Sequence, residues 1–126
     1  MNKQMLSLLL ILILSCNLLS QELNPKDSTL YDFWIGEWEL TWDDGEGKTG
    51  TGANHIYRIL EDNVIYENFS ASSGKLHGFI GKSYSVWNRY SGEWKQTWVD
   101  NQGSYLDFTG SIDGNNIIFR REFCDK

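Results

Sequence analysis

From Phe33 onward the chain repeats one cadence: an alternating or aromatic-rich run, then a short cluster of Gly, Asp, Asn or Ser, then another run. Successive side chains of a strand point to opposite faces, and Gly, Asn and Asp accept the backbone of a tight reversal. The cadence therefore predicts consecutive antiparallel hairpins. Turns are expected at Asp43-Asp44-Gly45-Glu46-Gly47, Glu61-Asp62-Asn63, Ser72-Ser73-Gly74, Tyr90-Ser91-Gly92, Asn101-Gln102-Gly103 and Asp113-Gly114-Asn115. Between them lie seven strands, over 36–42, 49–59, 64–70, 77–87, 94–100, 104–111 and 116–123. Helical periodicity is weak, the exception being a short turn over 28–34 that would cap one end of a barrel.

The fifth strand has the sharpest pattern. Trp94, Gln96 and Trp98 alternate with Lys95, Thr97 and Val99, so two indoles and an amide share one face before Asp100-Asn101-Gln102-Gly103 reverses the chain. In the first strand Trp38, Leu40 and Trp42 oppose Glu37, Glu39 and Thr41, the pattern of a sheet buried on one face, so these tryptophans point inward. The third strand is ambiguous, since Ile65, Glu67 and Phe69 alternate with the equally mixed Val64, Tyr66 and Asn68. The second strand opens on spaced glycines, Gly50 and Gly52, which mark a bend, a bulge or the close approach of another group. A flat sheet of this length would expose long edges, so a sheet that curls on itself is expected.

Residues 1–20 carry Lys3, an apolar run from Met5 to Leu14 and a small polar tail. The run is shorter than the roughly 20 residues a membrane-spanning helix needs, and the segment reads as a secretory signal peptide. Ile13-Leu14-Ser15-Cys16 is similar to a lipobox with Cys16 as the lipidated residue; cleavage after Ser20 is the other reading. The expected protein is periplasmic, secreted or envelope-anchored, touching membrane only through that lipid. Cys124 is the only other cysteine, so the mature chain has no internal disulfide and stability must come from packing. Residues 21–30, which include the only proline, Pro25, read as a tether ahead of one domain over 31–126. The net charge of −6 opposes binding to nucleic acid or anionic lipid.

Gly36-Glu37-Trp38 has the form of the G-x-W element at the first strand of lipocalin-type barrels, where the indole plugs one end. Together with residues 31–38, Ile59-Leu60-Glu61, Tyr66-Glu67-Asn68, Gly81-Lys82-Ser83-Tyr84 and above all 94–103, it resembles a family of exported bacterial domains of unknown function. The resemblance implies an all-β, antiparallel up-and-down barrel of lipocalin or calycin type and a location in the cell envelope. It brings no catalytic residues. Such barrels have about eight strands or more. Seven are counted here, with the last still running near the final residue, Lys126, so the chain reads as cut short, or as completed by a partner's strands.

A barrel of this size can hold one small ligand, so the first functional expectation is a monomeric binder of an apolar or amphipathic molecule. Its lining would be Trp38, Trp42, Glu67, Trp94, Gln96 and Trp98. Glu67 could bind a cation or hydroxyl of the ligand; as general base it would make the chain an enzyme. It could instead pair with Arg58, Lys82 or a backbone donor, or face outward. Gln96 could bond a ligand or a neighbouring strand. A structural domain with a packed aromatic core is the alternative function. His55 and His77 are isolated from other ligand-type residues, and no phosphate loop or nucleophile motif is present, so no metal or cofactor is expected.

Overall fold

The structure, a computed structural model, describes residues 29–114 and 116–122. The signal segment with Cys16, most of the tether, Asn115 and the last residues with Phe123 and Cys124 lie outside the described residues. A single 3₁₀ turn, Asp32–Trp34, leads into β1 (Gly36–Gly45), β2 (Lys48–Ile59), β3 (Val64–Ala71), β4 (Ile80–Asn88), β5 (Glu93–Asp100), β6 (Tyr105–Asp113) and β7 (Asn116–Arg120). All seven pair antiparallel with their sequence neighbours in one sheet that curls into a half-barrel. Among the described residues β1 and β7 are its edges, and no helix is long and apolar enough to cross a membrane.

The strand expected from residue 77 begins instead at Ile80. Residues before it are held in turns: Gly78 has φ +83°, and the Asn101 side chain accepts from Ile80 N at 3.1 Å and donates to Gly78 O at 2.9 Å. That amide stands in for a strand partner, a contact between segments far apart in sequence. The reversal after β5 follows its residue types. Asp100 Oδ1 accepts from the backbone N–H groups of Gln102 and Ser104 at 2.9 and 3.1 Å, and its Oδ2 accepts from Trp98 Nε1 at 3.0 Å. Burial opposes the Asp100 charge, but these donors outweigh it and hold the carboxyl below the ordinary carboxylate value.

Register decides which residues face inward. Trp38, Leu40 and Trp42 lie beside Asn54, Gly52 and Gly50 of β2; Ile56 lies beside Glu67, which in turn meets Ser83. Across β4 and β5, Ser83, Ser85 and Trp87 meet Trp98, Gln96 and Trp94. The spaced glycines of β2 make room for an indole. A Cβ at Gly50 would lie 2.1 Å from Trp42 Nε1, and one at Gly81 would lie 1.9 Å from Trp98 Cζ2. Both tryptophans therefore lie flat over backbone that carries no side chain.

The concave face holds two aromatic clusters. At one end Leu30, Tyr31, Ile56, Ile65 and Trp94 form the buried core, with Tyr31 edge-on to Trp94 at 4.5 Å and stacked on Phe119 at 5.4 Å. Leu30, the last residue of the expected tether, thus belongs to the packed fold. At the other end Phe69 contacts Trp42, Phe79 and Trp98 at ring separations of 6.0 to 6.3 Å. On the convex face Tyr57, Tyr66 and Tyr84 form a cross-strand ladder, each ring touching the next. Such cross-strand pairs stabilise a sheet by about 0.2–1 kcal/mol each.

Candidate functional site

A polar band separates the two aromatic clusters. Alternation along β3 puts Glu67 on the concave face between Ile65 and Phe69, and only 8% of it is exposed. A buried carboxylate needs donors. It receives two: Asn54 Nδ2 donates to Oε1 and Ser83 Oγ donates to Oε2, each at 2.6 Å. Next in the band, Gln96 Nε2 donates to Ser85 Oγ at 2.9 Å across the β4–β5 pair. Asn54 Oδ1 is buried with no hydrogen-bond partner among the described residues.

Of the partners foreseen for Glu67, the side chains of Arg58 and Lys82 bond elsewhere, and Asn54 and Ser83 take their place. Arg58 bonds Asp32 through Nε and Nη2, and its Nη1 donates to Asp62 O at 2.7 Å. This ties the 3₁₀ turn onto β2. Lys82 points to the opposite face, where its Nζ donates to Tyr66 Oη at 2.6 Å; that bond holds the ammonium above its ordinary value.

The segment so anchored lays Tyr31, Phe33 and Trp34 over the band. With Ile117 and Phe119 of β7 they line an open pocket of about 280 Å³ toward which Glu67 and Gln96 face. Tyr31 is 2% exposed, and burial pushes its phenol up to about 12. Phe33 is 68% exposed and stands at the mouth.

All six residues expected to line a ligand site belong to the concave face, but the structure does not gather them at one cavity. Glu67 and Gln96 meet there. Trp94 lies in the core beside Trp87, and Trp42 and Trp98 belong to the far cluster. Trp38, on the edge strand, is 43% exposed and donates its indole N–H to Trp34 O at 2.8 Å. Gly36 before it has φ +149°, a conformation that favours glycine.

Five wall residues and the three band partners Asn54, Ser83 and Ser85 were absent from the expected site. Ser83 and Ser85 carried a readable signal: they alternate with Lys82, Tyr84 and Val86, which places two small polar groups on one face. Tyr31, Phe33 and Trp34 fall in the turn expected over 28–34, but nothing local said which side chains of the sheet that turn would cover. Among the described residues no three His, Cys, Asp or Glu side chains are placed to hold a metal ion. No family model, curated protein or solved structure matches the chain.

Proposed function

We propose that this chain is a small-ligand-binding domain, an exported module on a lipocalin-like barrel scaffold that takes one apolar or amphipathic molecule on its concave face. One observation carries the reading: Glu67 and Gln96 meet aromatic and aliphatic walls at a single cavity of about 280 Å³. Sites for small molecules combine an apolar lining with a few placed polar groups in this way. The far cluster around Phe69 and the Trp87–Trp94 pair act as scaffold. Export, with or without a lipid on Cys16, rests on the pattern of residues 1–20.

A second reading, a structural domain whose aromatic face is packed core and nothing more, draws on the far cluster, where Phe69 is surrounded by other rings. Titration separates the two. The full chain is titrated with n-octanol while tryptophan fluorescence is followed, and Trp34→Phe is run in parallel because Trp34 is the indole at the cavity. The binding reading predicts a saturable change that is diminished in Trp34→Phe. A flat response to octanol and to other small apolar probes favours the packed core.

A further inference from the structure

Resting on the ligand-binding reading, we infer that the cavity selects an amphipathic amine, its ammonium against Glu67 and its apolar body among Tyr31, Phe33, Trp34 and Phe119.

The polar wall presents acceptors. Among the described residues each Glu67 oxygen takes one hydrogen bond, and a carboxylate has about four acceptor positions in all. Gln96 turns its N–H toward Ser85, and among the described residues nothing donates to its carbonyl oxygen, which is placed to accept from a ligand. A ligand that donates satisfies both groups. One that only accepts desolvates them without a partner.

Charge narrows the choice further. Among the described residues Glu67 is the one charged residue of the lining, and no Lys, Arg or His joins it. A fatty-acid carboxylate would meet a like charge in a partly desolvated site, whereas an ammonium meets the opposite one. The aromatic walls add attraction, because a cation is drawn to the face of a ring. The net charge of −6 favours the approach of a cation from solution.

The test compares probes of one length and three head groups. The full chain is titrated near neutral pH with n-octylamine, n-octanol and n-octanoate, with tryptophan fluorescence as the readout. Octylamine is expected to bind at least about tenfold tighter than octanoate, with octanol between them. In Glu67→Gln the advantage of octylamine over octanol should vanish; the comparison in the unmodified chain stands whether or not that variant folds. Equal binding of the three, or preference for octanoate, overturns amine selection and leaves the cavity reading intact. No saturable response to any of them overturns both.

Discussion

Glu67 on β3 stands directly opposite Ser83 on β4, and the serine hydroxyl donates to its carboxylate at 2.6 Å while both residues are buried. Removing one side of a buried bond leaves the other desolvated and unpaired. Ser83→Ala should therefore destabilise the fold by about 1–3 kcal/mol, read as a lower midpoint in urea denaturation. A change near zero would mean that Glu67 has another donor.

The indole of Trp98 lies where a side chain at position 81 would have to be, 1.9 Å from its Cβ. Gly81→Ala should force the ring or the strand to shift and destabilise by about 1–3 kcal/mol. An unchanged melting temperature would show that Trp98 is free to move.

Tyr31 links stability to alkaline pH. Burial raises its phenol from 10.0 to about 12, so over that interval the folded chain keeps neutral a group that the unfolded chain ionises. Its contribution is complete below pH 10.0 and is lost as pH rises through about 12. Denaturation midpoints measured across that range should fall more steeply in the unmodified chain than in Tyr31→Phe. Parallel curves would contradict this origin.

The reversal between β2 and β3 contains three successive non-glycine residues at positive φ, Leu60, Glu61 and Asp62, at +52°, +55° and +62°. An L-residue in this conformation costs roughly 1–2 kcal/mol. Leu60 is 70% exposed, so little packing depends on its side chain. Leu60→Gly should stabilise the chain by roughly 1 kcal/mol in urea denaturation. Destabilisation would show that the leucine contributes packing that outweighs its backbone cost.

Much of the sheet was legible because alternation and turn chemistry are local. Trp94, Gln96 and Trp98 announce both a strand and its inward face, and Asp100 with Gly103 announces the turn that follows. What escaped was non-local. Asn101 reaches back to hold residues 78 and 80, which moves the start of β4. The inward face of β3 could not be chosen from β3 alone; Asn54 and Ser83 on the neighbouring strands supply the donors that let Glu67 turn in. The cover provided by Tyr31, Phe33 and Trp34 depends on Asp32 meeting Arg58, residues 26 apart in sequence.

The claim that the concave cavity is a ligand site is tested most directly by amide and indole NMR during separate titrations with n-octylamine, n-octanol and n-octanoate. Saturable shifts are predicted for the Trp34 indole N–H, the Gln96 side-chain amide and the backbone of Phe119, while the Trp42 and Trp98 indoles in the far cluster stay in place. Shifts centred on Tyr57, Tyr66 and Tyr84 of the convex face, or no saturable shift at all, would contradict it.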